Sequence, residues 1–432
     1  MQTTIAKSSG TCNELHSEPE EKSKRQSGNP MEPLPPVPLS PRPPPSGGGT
    51  PLQLEECIDE VLKLTLISSI QGKLHTGLSN EYCANLLRDD PSDPLPTNNG
   101  KVSKGVTSYP LYKRLASSIY QSIHSGALCT AYKEVIPVHE DQSSKEKDEE
   151  WNKLIVGAGS ALLRILKEVD FELHGHEPFF SQLSDGLKTI EGRCAVGKFK
   201  RFQAGHLLLF NKCLMVQVQD VRHYASFHEM LEAEGLSKVL PGVTNIEEGV
   251  QIYRSFYSEE KERSNGVLAL CLSIPTSQLY VIMASILSGL SYSGVQKLLG
   301  FVQTIGTNPE SLPPPSSTLL STFLTPNNPD VKGSTLTNGA RALAKHVNRS
   351  SEGYWGALSG NDSEKNKHAM DVIIRLLTQC SWMNMHIVPP HGIVFEIRND
   401  DGYGARWSGD GTKFIGFLEP YTVDGHSNRW KH

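Results

Sequence analysis

The run Asp185-Gly-Leu-Lys-Thr-Ile-Glu-Gly-Arg193 packs a glycine turn, a β-strand pattern and alternating charge into nine residues. From Thr189 onward, the period of two puts Thr189, Glu191 and Arg193 on one face and Ile190, Gly192 and Cys194 on the other. Lys188 falls with the apolar set. It joins the polar group only if the chain bends at Gly186-Leu187, where glycine makes a bend cheap. The plain alternative is a surface strand whose Thr, Glu and Arg are cross-strand partners.

Outward from this strand, Lys188, Arg193, Lys198, Lys200 and Arg201 face Asp185 and Glu191, a local excess of three positive charges. Such Lys and Arg donors can meet phosphate oxygens, and Phe199 or Phe202 can either stack on a base or fill the core. Glu191 can accept from an exocyclic base amine, and Arg193 can grip phosphate or a base edge. The candidate nucleic-acid-binding set is therefore Lys188, Thr189, Glu191, Arg193, Lys198, Lys200 and Arg201.

The signature Gly186-x-Lys188-Thr-x-Glu191-x-Arg193 resembles that of the ASCH family (activating signal cointegrator homology). The likeness continues through Phe202–Phe210, Asp220–Tyr224, Glu234–Gly242, Gly249–Tyr253 and Phe256-Tyr257, over about residues 165–275. The layout is similar to that of plant RNA-binding ASCH proteins. The resemblance implies a small PUA-like β-barrel whose expected function is non-catalytic recognition of single-stranded RNA in a regulatory or transcription-coregulator setting. It also raises a catalytic alternative, because some bacterial ASCH proteins are amidohydrolases that remove acetyl from N4-acetylcytidine. These use a lysine, a threonine three residues later and a carboxylate. Here Lys188 matches, the position three residues on is Glu191, Thr189 is adjacent to the lysine, and Glu234 stands loosely at the carboxylate. A Lys188–Glu191 ion pair would keep the lysine protonated and oppose its use as a base.

The 432 residues carry a net charge of −5, which disfavours a generic polyanion binder and makes any nucleic-acid contact local. A hydrophobic fraction of 37% and a mean hydropathy of −0.34 fit folded parts diluted by polar ones. Eight cysteines are scattered with no C-x-x-C pair, as in a nuclear or cytoplasmic protein. The N-terminus has no apolar h-region, and the run Leu279–Ile305 is broken by Ser and Gln, so it reads as a core helix, with no membrane role.

The expected fold class is α+β: the barrel with flanking helices, a disordered Pro-rich N-terminus and a separate C-terminal α+β unit. Residues 1–50 are polar and proline-rich, unable to bury enough surface to offset chain entropy. Segments 51–135 carry helical stripes: Leu54 to Leu66, Ser79 to Leu87, and Tyr112 to Ile123 ending at Gly126. Residues 136–150 read as a charged loop, 151–275 as a helix plus the barrel, 276–307 as the apolar helix, 308–337 as a linker, and 338–432 as the C-terminal unit. Its histidines (His346, His368, His386, His391, His426, His432) match no metal-ligand spacing, and no cofactor is expected. The Pro-rich tail and C-terminal unit suggest a third alternative, an adaptor with protein partners.

Overall fold

The structure, a computed structural model, describes residues 53–95, 104–128, 142–347 and 353–420. The Pro-rich tail, the segment 129–141, His426, Trp430 and His432 lie outside the described residues.

The three expected stripes form α1 (Leu54–Ile70), α2 (Asn80–Leu87) and α3 (Leu111–Ser125). Ser79 caps α2 by accepting from the Tyr82 amide at 3.1 Å. Gly126 ends α3 at φ +71°, a conformation glycine adopts without steric cost. The fourth helix departs from expectation: α4 (Gln142–Lys167) runs through most of the stretch read as a charged loop. Its downstream stripe of Trp151, Ile155, Leu162 and Leu166 is buried. Once that stripe is docked, each upstream residue adds a hydrogen bond without a new nucleation cost, and Asp148 pairs with Lys297.

The ASCH-like region contains β1 (Phe171–Leu173), α5 (Phe179–Ser184), β2 (Ile190–Cys194), a 3₁₀ turn (Gly197–Arg201), β3 (Leu207–Phe210) and β4 (Leu214–Tyr224). Four helices follow, α6 (Phe227–Glu234), α7 (Leu236–Val239), α8 (Ile246–Arg254) and α9 (Glu259–Asn265), and then β5 (Val267–Ser273). The sheet order is β1-β3-β4-β5-β2, a curled half-barrel in which only β1 and β3 run parallel. The expected single helix over Phe227–Leu240 is broken at Gly235, whose φ is +84°. One side of the sheet packs on Leu173, Leu208, Phe210, Val216 and Leu270; the other packs Ile190, Cys194 and Ala269 against Phe227, Met230 and Tyr253.

The apolar run is α10 (Leu279–Leu299), kinked at Ser291. It is long and apolar enough to cross a membrane, but half of its most apolar window is buried against protein. Leu279, Met283, Ile286, Leu287, Leu290 and Leu298 share one apolar cluster with α1, α3 and α4.

Residues 308–337 are not a linker. Pro313, Pro314, Pro315 and Ser316 are buried, and α11 (Ser316–Leu324) inserts Leu319, Leu320 and Phe323 into the core. The proline and serine composition concealed an apolar triplet at helical spacing. The rest is α12 (Asn338–Val347), α13 (Asp362–Gln379) and the antiparallel sheet β6 (Trp382–Val388), β7 (Gly392–Arg398), β8 (Gly404–Ser408), β9 (Phe414–Leu418), in that spatial order. This is a sheet separate from the half-barrel, although its inner face belongs to the apolar cluster of α1, α3 and α10.

Phe323 lies so close to α12 that a Cβ at Gly339 would stand 2.1 Å from its ring. Phe323→Ala is expected to cost about 3–5 kcal/mol in urea denaturation, the penalty for emptying a core aromatic site. A linker position would give almost no change.

Candidate nucleic-acid interface

Gly186 adopts φ +73°, and the bend there turns Lys188 inward. The strand proper starts at Ile190, so Lys188 escapes the alternation that would have placed it with the apolar side chains. The lysine is 3% exposed. It donates to the Ile190 carbonyl at 2.9 Å and to the Val239 carbonyl, and it pairs with Glu191 Oε2 at 3.1 Å. The ring of Phe179 lies 5.8 Å away.

Arg193 completes the cluster. Its Nη2 is 2.7 Å from Glu191 Oε1 and donates to the His174 carbonyl at 2.8 Å. It also hydrogen-bonds Tyr257 and lies 5.8 Å from the centre of the Phe199 ring. Its Nε is buried with no hydrogen-bond partner, a donor in want of an acceptor.

These three side chains line a cavity of about 360 Å³ with His174, His176, Phe179, Phe180, Tyr253, Phe256 and Tyr257. That volume suits a nucleotide-sized ligand. Phe256 is half-exposed and stacks on His176 at 5.0 Å, so an aromatic pair stands where a base can be received. Gly192 keeps the strand low: a Cβ there would meet the Tyr253 hydroxyl at 2.4 Å.

Burial pushes the Lys188 ammonium below the usual lysine range, and Glu191 pulls it back only in part. Burial also pushes Glu191 up, but the charges of Lys188 and Arg193 outweigh it and hold the carboxyl below its ordinary value. With all three ionised, the cluster carries one surplus positive charge. The Tyr253 hydroxyl, fully enclosed, is raised well above the usual phenol range.

The structure gathers some of the sequence-derived residues and separates others. Lys188, Glu191 and Arg193 line the cavity. Thr189 is exposed; its backbone bonds Lys238 and Leu272, and it is not a lining residue. Lys198, Lys200 and Arg201 lie on the 3₁₀ turn, outside the lining but joined to it through Phe199, over which both Arg193 and Lys198 sit. Arg201 lies over Phe171. Phe202 is core, packed edge-on against Phe171. Glu234 is held by Arg222 at 2.8 Å and Tyr224 at 2.6 Å and does not line the cavity. His174, His176 and Tyr253 were missed as site residues because they come from elements about 15 and 60 positions from the signature strand. The run Tyr253-Arg-Ser-Phe256-Tyr257 was the available signal, since positions i, i+3 and i+4 share one helical face.

The half-barrel thus carries a partly open pocket lined by charged and aromatic side chains. Residues 173–276 match the ASCH domain, and the chain carries an ASCH domain there. A crystal structure of the hypothetical protein PH0355 is 42% identical, covering 24% of this chain and 98% of that one with a TM-score of 0.24. A solution structure of the Pyrococcus furiosus protein PF0455 is also 42% identical, covering 25% and 98% with a TM-score of 0.23. Residues 325–419 match the CdiA C-terminal tRNase toxin domain. No curated protein matches the chain.

A carboxylate with a depressed pKa stabilises the fold above its unfolded value and stops doing so as pH falls through its folded value. The urea midpoint should therefore drop as pH falls below about 4. Glu191→Gln should flatten that dependence and cost about 3–5 kcal/mol at neutral pH, because it strands the Lys188 charge in the interior. An unchanged midpoint would show that the ammonium is not charged when buried.

Proposed function

We propose that the ASCH domain recognises single-stranded RNA, with one base in the 360 Å³ cavity and the flanking phosphates on the 3₁₀ turn. The observation that carries this reading is the cluster Lys188–Glu191–Arg193 under an aromatic rim, with an unpartnered Arg193 donor. Glu191 offers a carboxylate to a base amine, Phe256 and His176 offer a stacking surface, and Lys198, Lys200 and Arg201 supply the phosphate contacts. A plant-type regulatory or coregulator role in nucleus or cytoplasm belongs to the same proposal. The free thiols of Cys57, Cys83, Cys194, Cys213, Cys271 and Cys380 support a reducing compartment.

Geometry favours binding over hydrolysis at this pocket. Lys188 is engaged by three acceptors, Thr189 does not line the cavity and Glu234 is taken up by Arg222 and Tyr224. A second reading concerns the C-terminal unit alone: its match to a tRNase toxin domain over residues 325–419 supports RNA cleavage there. The two readings share one class of ligand.

Fluorescence anisotropy of a labelled single-stranded RNA with the full chain tests the first reading. The full chain is needed because Leu209, Cys213 and Met215 of the half-barrel pack into the helical core, and an isolated fragment would expose them. Phe256→Ala should weaken binding by about 1–3 kcal/mol, the worth of one base stack. Three phosphate contacts give a salt slope near −2, so fourfold more salt should weaken binding by roughly twentyfold. Absence of saturable binding by the folded full chain would refute the reading.

A further inference from the structure

The outer face of the C-terminal sheet holds a second charged cluster. Alternation sends Met383, Met385, Phe395, Ile397, Ala405 and Trp407 into the core. It leaves Trp382, Asn384 and His386 of β6, Glu396 and Arg398 of β7 and Arg406 of β8 on the opposite face. Register brings them together, since Asn384 pairs with Glu396, and Glu396 with Arg406. Glu396 is 2% exposed. Its Oε1 accepts from Arg398 Nε at 2.7 Å, and its Oε2 accepts from Arg406 Nε at 2.8 Å and Nη2 at 2.5 Å. His386 Nε2 is 3.1 Å from the same Oε2.

The protonation state follows from these contacts. Burial alone would raise the Glu396 pKa, but the hydrogen bond from His386 and the charges of Arg398 and Arg406 hold it at about 2. An ionised carboxylate only accepts, so His386 Nε2 carries a proton, and in the neutral imidazole Nδ1 is the nitrogen that can accept one. Nδ1 has no hydrogen-bond partner among the described residues, and the same is true of Arg406 Nη1. Two guanidinium groups against one carboxylate leave a surplus positive charge. Trp382 sets its ring edge-on to His386 at 6.1 Å.

We propose that this face is a ribonucleolytic site, with His386 as the general base, Arg406 as the phosphate-binding group and Glu396 as the residue that positions them, while Arg398, whose Nη1 donates to the Gly402 and Glu419 carbonyls at 2.7 Å and 3.0 Å, holds Glu396 in place. The proposal rests on the RNA-cleavage reading of the C-terminal unit. His386 Nδ1 takes the proton of a ribose 2′-hydroxyl, the 2′-oxygen forms a bond to the adjacent phosphorus, and the bond from phosphorus to the 5′-oxygen breaks. Water protonates the departing 5′-oxygen, and the resulting hydroxide takes back the proton held by His386. The products are a 2′,3′-cyclic phosphate and a 5′-hydroxyl. The Arg406 guanidinium stabilises charge gathering on the non-bridging oxygens.

The test uses the full chain with mixed tRNA and with an end-labelled 20-mer RNA, read on gels and by end-group analysis. Cleavage leaving 2′,3′-cyclic phosphate is expected, and none with 2′-O-methyl RNA. His386→Ala should lower the rate about 10²- to 10⁴-fold. His386→Gln, closer in size, guards against a folding failure and should be equally slow with an unchanged melting curve. Glu396→Gln should shift the pH–rate profile, which a merely structural role would not do. Wild-type rates in folded His386 variants would overturn the site and leave the cleavage reading standing. Intact RNA with the wild type would overturn both, while the anisotropy titration reports separately on the ASCH pocket.

Discussion

Burying the Lys188 ammonium constrains much of the half-barrel. A charge at 3% exposure is tolerable only if every donor finds an acceptor, and each acceptor comes from a different piece of backbone or side chain. The Ile190 carbonyl requires the strand to begin two residues after the lysine. The Val239 carbonyl requires α7 to end over the pocket, which the break at Gly235 permits. Glu191 supplies the counter-charge and is itself shared with Arg193, whose second contact fixes the end of β1 at His174. The pocket floor and the packing of α6, α7 and β1 are thus one electrostatic problem with one solution.

Legibility in the sequence followed the range of the interactions. The periods of α1, α2 and α3, the caps at Ser79 and Gly126, the strand Leu207–Phe210 and the strand Gly392–Arg398 are local properties and were readable from neighbours. The Gly186 bend was readable for the same reason: one glycine and a broken alternation lie within three positions. What was hidden depends on distant partners. The Pro-Pro-Pro stretch before α11 has linker composition, and distant partners make it part of the interior: the Tyr109 hydroxyl bonds the Pro313 carbonyl, Gln296 the Ser311 carbonyl, and Asp90 the Ser317 amide. Glu396, Arg398 and Arg406 look like ordinary polar positions on two strands; the register that unites them with His386 cannot be computed from any one strand.

α10 links the two halves of the molecule physically. At its start, Gln278 exchanges hydrogen bonds with the Met215 backbone in β4, at 3.2 Å and 2.9 Å. Beyond its end, Val302 and Asn308 donate backbone bonds to Met383 and Met385, so the chain leaving the helix runs along the edge of β6. This covers an edge strand that would otherwise offer unpaired groups to another chain. It also leaves the half-barrel and the C-terminal sheet without a flexible tether between them, since residues 308–337 are packed as well.

Charge explains how a chain of net −5 can present surfaces suited to an anion. Both clusters place one carboxylate between two cations, so each is positive by one unit when all three groups are ionised. The deepest side chain differs between them: in the first it is Lys188, at 3% exposure against 13% for Glu191, and in the second it is Glu396, at 3% against 9% for Arg406 and 17% for Arg398. At physiological ionic strength the Debye length is about 8 Å, so the acidic remainder of the surface is screened from a ligand seated in either cluster, while the fixed charges within a few ångströms are not. Recognition therefore rests on local arrangement, and the net charge of the chain sets only the approach from a distance.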